Sequence, residues 1–163
     1  MPTVDTGQFE IYYVEEGDGF PLVLIHGLAG DHRAWLPQIA EFKDRHRVIA
    51  FDNPGSGDSS DVTDPASTED LAGATLSLMD SLGIDRAHVI GRSMGGAIAQ
   101  HMALLAPDRV QSMVLAASFA KFDEVGTRVL SNMREILEWR GNWTDWARHS
   151  TWAFFSPQSY NEN

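Results

Sequence analysis

The sequence predicts an α/β fold in which helices cover both faces of a mostly parallel sheet. Short apolar runs alternate along the chain with segments of helical period, which is the order that a parallel sheet requires. The run Leu22–Ile25 is continuously apolar, as expected for a strand that is buried on both faces. The 163 residues suffice for one buried core, and 43% apolar and 21% charged residues are typical of a globular protein.

The first half of the chain contains three predicted strands. Apolar and polar residues alternate from 8 to 13, which predicts a half-exposed strand. Turn residues at 17–19 separate it from the buried run, and residues 47–51 form the next strand before a loop at 52–59. A helix between the second and third strands is predicted by three apolar residues at helical spacing: Trp35, Ile39 and Phe42.

Two further helices alternate with two further strands. One helix begins after Ser67, with Asp70 three residues later as in a capping box. Residues 87–90 are predicted to form a strand. A glycine-rich turn then leads into a helix that ends at Pro107, and Val110–Ala116 is the following strand.

The pattern changes after residue 118, which divides the chain into two predicted parts, 1–118 and 119–163. Residues 123–140 are predicted to form one amphipathic helix that is ended by a glycine. A second helix is predicted by four residues that share one face: Trp143, Trp146, Ser150 and Phe154.

The charge balance excludes one class of partner. Twenty-three acidic and 12 basic residues give a net charge of −11, which would repel nucleic acid. The acidic residues between Asp58 and Asp70 lack the spacing of a calcium loop. They are interpreted as a solvated loop and helix start, and no metal site is predicted.

Cysteine content and hydropathy bear on the cellular location. The absence of cysteine favours a reducing, cytoplasmic setting. No apolar run reaches the ~18 residues that would span a membrane, and the first ten residues carry no visible export signal. We therefore expect a cytoplasmic protein without a membrane partner.

The segment Gly91–Gly96, which reads GRSMGG, lies between a predicted strand and a predicted helix. A serine at such a junction occupies a tight, strained turn and projects its hydroxyl above the sheet. The small Gly91 and Gly95 let the strand and helix approach each other. The helix presents free N–H groups and its positive dipole end to negative charge that forms on Ser93. Arg92, beside the serine, either lines a pocket or faces solvent.

Four blocks, taken in order, resemble the α/β-hydrolase superfamily. Residues 26–28, which read HGL, follow the first buried strand as the family's oxyanion loop does. Residues 52–59 resemble the family's D-x-x-G-x-G-x-S loop, 91–96 resemble its nucleophile elbow, and 106–110 match the run into its sixth strand. The resemblance covers residues 8–118. It implies the family's mostly parallel sheet, here ending after strand six and the first helices of a cap.

The resemblance also implies roles for individual residues. Ser93 would be the nucleophile, and the backbone N–H groups of Met94 and Leu28 would form the oxyanion hole. His26 and Gly27 would shape the oxyanion loop and the adjoining pocket rather than supply a base. No metal or organic cofactor is implied.

The acid and base of the family follow its seventh and eighth strands, in the order Ser, Asp or Glu, His. This chain ends inside what resembles the helical cap, so the triad is expected to be incomplete. Asp123, after strand six, and His149, in the predicted cap, are weaker candidates for acid and base. His101 lies eight residues beyond the serine, about 12 Å along one helix, and is too distant to be the base. His32 is expected at the surface.

The predicted strand Val110–Ala116 would pair with the family's seventh strand, which has no counterpart here. We therefore expect an apolar, unpaired edge. Such an edge would favour self-association or pairing with a complementing C-terminal segment. A fragment of a longer enzyme is favoured over one half of a two-chain enzyme and over a short homologue that self-associates.

These observations predict a serine-dependent hydrolase that acts on a small, largely apolar ester, lactone or similar carbonyl substrate through an acyl-enzyme on Ser93. The isolated chain is expected to be inactive or weakly active, because the base and acid are missing. The alternative is a non-catalytic ligand-binding or scaffold protein on a hydrolase-like fold.

Overall fold

The structure is a computed structural model that describes residues 2–64, 66–121, 123–141 and 144, and one sheet forms the core of its first 120 residues. The six strands of this described part are β1 (Thr3–Asp5), β2 (Glu10–Glu16), β3 (Phe20–Ile25), β4 (His46–Phe51), β5 (Ala87–Arg92) and β6 (Val110–Ala116). Their order is β1-β2-β4-β3-β5-β6. Strands β4, β3, β5 and β6 are parallel, whereas β2 is antiparallel to both of its neighbours. The prediction of a mostly parallel sheet is confirmed.

The central strands are buried on both faces, which accounts for their continuous apolar runs. Val23 pairs with Ile49 on one side and with Val89 on the other, and each of these side chains is at most 1% exposed. A parallel sheet needs cover on both faces, because the crossover helices that connect its strands pack there.

Helices within the first 120 residues provide that cover. They are α1 (Leu36–Phe42), which follows a 3₁₀ turn at His32–Trp35, α2 (Thr68–Ser81) and α3 (Met94–Leu105). A further helix, α4 (Glu124–Arg140), follows later in the chain. Val23 of β3 packs in a core cluster with residues of α2 and α3, whereas Leu24 packs in a second cluster with Trp35 and Ile39. Successive residues of a strand point to opposite faces, so the two clusters lie on opposite sides of the sheet.

The helix α2 begins with the predicted capping box. The Ser67 hydroxyl accepts a hydrogen bond from the Asp70 N–H (3.1 Å), and the Asp70 carboxylate accepts one from the Ser67 N–H (2.8 Å). The hydrogen bonds from Ser67 also lower the pKa of Asp70. This cap fixes the start of the helix that packs behind α3.

Strand β6 lies at the edge of the sheet and has the predicted bounds. Among the described residues it pairs with β5 alone. Three of its apolar side chains are exposed, Met113 by 41%, Val114 by 55% and Leu115 by 42%. Because adjacent residues of a strand point to opposite faces, both faces of β6 are uncovered as well as its edge. Pairing of this edge with another chain stays a prediction.

By its contacts the chain divides into two compact units, Met1–Ala120 and Lys121–Asn163. The second unit contains α4, whose predicted apolar side includes the buried Met133. The helix ends at Gly141, which has a φ of +69°. The assignment of 119–163 to a cap stays a prediction.

The predicted helix over 143–154 lies outside the described residues, apart from Thr144, which is helical. Within the described part, no helix is both long enough and apolar enough to cross a membrane.

Candidate active site

Ser93 lies at the junction of β5 and α3. It follows Arg92, the last residue of the strand, and precedes Met94, the first residue of the helix. Its φ of +53° and ψ of −118° belong to a region that residues with a Cβ atom rarely adopt. Such a conformation costs on the order of 1–3 kcal/mol and persists only where the surroundings enforce it. The predicted strained turn from strand to helix is therefore present.

Two glycines allow the backbones of β3, β5 and α3 to approach one another closely behind Ser93. A Cβ atom on Gly91 would collide with the Gly95 carbonyl. A Cβ atom on Gly95 would collide with the Ile25 carbonyl and lie 2.6 Å from the His26 carbonyl oxygen. Since these neighbours are backbone atoms, they cannot move aside as the end of a flexible side chain could. Only glycine at both positions lets β3, β5 and α3 converge here.

The loop after β3 lies against Ser93. A Cβ atom added to Gly27 would be 3.1 Å from the Cβ of Ser93 and 3.7 Å from its Oγ. The loop continues as a turn in which the Gly30 N–H donates to the Gly27 carbonyl (3.1 Å) and Ala29 has a φ of +57°. The structure thus brings Gly27, and with it the adjoining Leu28, to the serine.

Two backbone N–H groups are the predicted oxyanion donors, that of Met94, next to Ser93 in sequence, and that of Leu28, next to Gly27. Met94 is the first residue of α3, so its N–H has no acceptor within the helix. Leu28 follows Gly27 and is half exposed, and the hydrogen bond that closes its turn uses neither its N–H nor its carbonyl. Free backbone N–H groups beside a reactive serine can stabilise negative charge on a substrate oxygen, and whether these two do so stays a prediction.

His26 is fully buried and is bonded through both ring nitrogens. Its Nε2 accepts a hydrogen bond from the Asn53 N–H (3.0 Å), so the proton sits on Nδ1, which donates to the Gly27 carbonyl (2.8 Å). Burial lowers the pKa of His26, against the opposing effects of the Gly27 hydrogen bond and the Asp52 charge. Because the lone pair on Nε2 is engaged, His26 joins two loops and is not free to act as a base.

Asp52 is the second buried group that joins these loops. One carboxylate oxygen accepts hydrogen bonds from the His32 N–H (2.6 Å) and from its Nδ1 (2.9 Å), and the other accepts one from the Asp58 N–H (2.9 Å). A Cβ atom on Gly57 would collide with this carboxylate. The prediction that His32 is a surface residue is wrong, because its ring packs against a carboxylate that is fully buried.

Asp52, His32 and Asp31 place one ligand atom each within 4.8 Å of one another, a spacing that could hold a metal ion. The hydrogen bonds that these three side chains make explain why they lie close together. Asp31 accepts from the N–H and the guanidinium of Arg33, and the Arg33 hydrogen bond lowers the pKa of Asp31 to about 2. The carboxylate oxygens of Asp52 accept hydrogen bonds from three donors. These residues therefore hold the neighbouring loops together.

One of the other predicted site residues lies beside Ser93 in sequence. Arg92 is exposed at the end of β5, next to the serine. The Asp123 carboxylate accepts a hydrogen bond from the Gly126 N–H (2.7 Å) and so caps α4. His101 lies on α3, two turns beyond the serine. His149 lies outside the described residues.

This arrangement matches a known family. The sequence model of the family described as alpha/beta hydrolase fold matches residues 21–149, which is more than half of the chain. The chain belongs to the α/β-hydrolase family.

Individual relatives are also hydrolases. The 2-hydroxy-6-oxo-6-phenylhexa-2,4-dienoate hydrolase of Comamonas testosteroni is 37% identical over 139 residues, 77% of this chain and 48% of that protein. The (E)-2-((N-methylformamido)methylene)succinate hydrolase of Acinetobacter baylyi is 35% identical over 127 residues, 78% of this chain and 48% of that protein. The solved enol-lactonase from Burkholderia xenovorans LB400 has a TM-score of 0.74 at 31% identity, covering 82% of this chain and 54% of its own. The α/β-hydrolase chain therefore spans about half the length of these relatives.

The two glycine substitutions Gly95→Ala and Gly73→Ala should change stability in opposite directions. Gly95→Ala forces a Cβ atom against the backbone after β3, and we expect it to lower the free energy of unfolding by at least about 2 kcal/mol. Gly73 lies in α2, where an added Cβ would have no neighbour within 4 Å, so Gly73→Ala should raise it by roughly 0.5–1 kcal/mol. Urea denaturation measures the free energy of unfolding of both variants. Equal effects of the two variants would contradict the close approach behind Ser93.

The buried His26 should make stability depend on pH. Its pKa in the folded state lies below the ordinary value of 6.5, so the unfolded chain binds this proton more readily. The stabilisation is complete above that ordinary value and is lost as the pH falls towards the lowered pKa, by up to about 1.4 kcal/mol per pH unit. Urea denaturation between pH 5 and 7.5 should show a flatter dependence for His26→Gln. An identical slope in the variant and the wild type would refute this account.

Proposed function

We propose that Ser93 is the nucleophile of a hydrolase that acts on a small, largely apolar ester, lactone or similar carbonyl substrate. The observation that carries the proposal is the strained backbone of Ser93, held at the end of β5 with Gly27 against its side chain. A protein keeps such strain where it presents a reactive group. Family membership supports the same reaction class.

The first step forms an acyl-enzyme. The Ser93 oxygen attacks the carbonyl carbon, the hydroxyl proton passes to a general base, and the carbonyl electron pair moves onto oxygen. When the tetrahedral intermediate collapses, the bond to the leaving group breaks and the leaving group receives the proton. Water then attacks the acyl carbon and gives a proton to the base. The bond between the acyl carbon and the Ser93 oxygen breaks, the acid is released, and the serine oxygen takes the proton from the base.

The oxyanion of the intermediate is assigned to the N–H groups of Met94 and Leu28. Met94 also stands at the N-terminus of α3, where the helix dipole favours negative charge. Each such donor typically contributes about 10²–10³ in rate, because it is already oriented before charge develops. Arg92, exposed beside the serine, is assigned to the entrance of the substrate pocket.

The base and its acid are assigned to a second half of the protein. In the part that the structure describes, His26 has both nitrogens engaged and Asp123 caps a helix. The relatives are about twice as long as the matched segment. Serine needs a proton acceptor to react, so full activity requires these further residues.

The substrate class rests on the relatives. One is named an enol-lactonase and another a hydrolase of a phenyl-substituted dienoate. Both names denote a carbonyl compound, and the second includes an apolar ring. This supports an acyl substrate with an apolar portion.

A fluorophosphonate probe, which reacts with activated serines, tests the assignment of the nucleophile. In the complete protein that carries this chain, we expect covalent labelling at Ser93, identified by mass spectrometry of the labelled peptide. Ser93→Ala should abolish it, because the attacking oxygen is removed. Ser81→Ala, which changes an exposed serine of α2, should label at the wild-type rate. Undiminished labelling of Ser93→Ala, or no labelling of the folded wild type, would refute the proposal.

A further inference from the structure

The loop after β6 is bound to the turn that carries Ser93. The Ser93 N–H donates to the carbonyl of Ala116, the last residue of β6 (2.9 Å). Two residues later, the Ser118 hydroxyl donates to the Ser93 carbonyl (2.9 Å). Hydrogen bonds to one short segment therefore fix the peptide groups on both sides of the serine.

The hydrogen bond from the Ser118 hydroxyl is the second one that the Ser93 carbonyl oxygen accepts. That oxygen also accepts a hydrogen bond from the Gly96 N–H (2.9 Å), within the first turn of α3. A carbonyl oxygen has two lone pairs, and Gly96 and Ser118 occupy both. The main chain of Ser93 thus has no unused hydrogen-bonding group, whereas its side chain makes no hydrogen bond as a cap of α3.

The surroundings leave room for Ser118 and hold it in place. A Cβ atom on Gly96 would collide with the Ser118 hydroxyl and lie 2.5 Å from its Cβ, so glycine is needed there. The Gln100 amide donates to the carbonyls of Phe119 (2.9 Å) and Gly96 (3.1 Å), which ties the loop to α3. Ala117, just before Ser118, has a φ of +48°. A strained residue at this point indicates that the loop is shaped to make these contacts.

We propose that Ser118 is a positioning residue for the nucleophile. The proposal rests on the function proposed above for Ser93. The φ of +53° at Ser93 is unfavourable, and rotation of its peptide groups would swing the Oγ away from the oxyanion donors. The Ser118 hydroxyl resists this rotation by holding the carbonyl. Its loss should lower the rate of attack on bound substrate with little effect on substrate binding.

The test compares Ser118→Ala with Ser118→Thr in the complete protein that carries this chain. We expect Ser118→Ala to lower kcat and the fluorophosphonate labelling rate about tenfold, while KM changes less than twofold. Ser118→Thr keeps a hydroxyl and should restore most of the rate. Ser112→Ala, which alters a serine of β6 that is bonded to His88, is the matched control and should label like the wild type. Circular dichroism establishes that each variant is folded.

The outcomes separate this proposal from the proposed function. Labelling of the wild type at Ser93 together with a wild-type rate in folded Ser118→Ala would overturn the positioning role and leave the nucleophile intact. Loss of labelling at Ser93 in every protein, wild type included, would refute both. Should Ser118→Ala fail to fold, Ser118→Cys, which exchanges the hydroxyl for a thiol, a much weaker hydrogen-bond donor, takes its place. A rate equal to that of the wild type in that variant would likewise overturn the proposal.

Discussion

The close approach of three backbone segments behind Ser93 is the constraint on which the candidate site depends. Gly91 and Gly95 bring β5 and α3 into contact with each other and with the end of β3, where any Cβ atom would meet backbone. This contact forces the chain to turn within one residue, and the turn imposes the positive φ on Ser93. The strain of that conformation is offset by the buried packing of the segments around it, since a core at crystal-like density cannot relax one residue alone.

Buried polar groups extend the same constraint to the neighbouring loops. His26 and Asp52 are fully buried, and an unpaired polar group in such a position would cost several kcal/mol. Each instead forms hydrogen bonds to another loop and within its own, His26 with Asn53 and Gly27, and Asp52 with His32 and Asp58. Displacing the Gly27 turn would therefore leave buried groups without partners. The Gly27 turn beside Ser93 is thus held by a network of buried polar side chains, and in this account those side chains take no part in the chemistry.

The sequence predicted most of the fold and one part of the site. The buried strands, the capping box and the bounds of β6 follow from local patterns, and the elbow follows from a serine among glycines at a strand–helix junction. Strand β1 was not predicted, because three residues carry no measurable period. The Ser118 contact with Ser93 and the His32 contact with Asp52 were missed for a different reason. The partners in these contacts lie 25 and 20 residues apart in sequence, and nothing local in a serine or histidine identifies such a partner.

Under the function proposed for Ser93, the geometry also separates two tasks of a serine hydrolase. The backbone of Ser93 is held within the first unit, by the end of β3, by β5, by α3 and by the loop after β6. Proton transfer is a distinct task, and among the described residues His26 is excluded from it because its lone pair accepts a backbone hydrogen bond. A nucleophile that is positioned independently of its base keeps its geometry when the base is protonated or removed. The rate would then fall through lost proton transfer alone, whereas a change in the loop after β6 would act on the direction of attack.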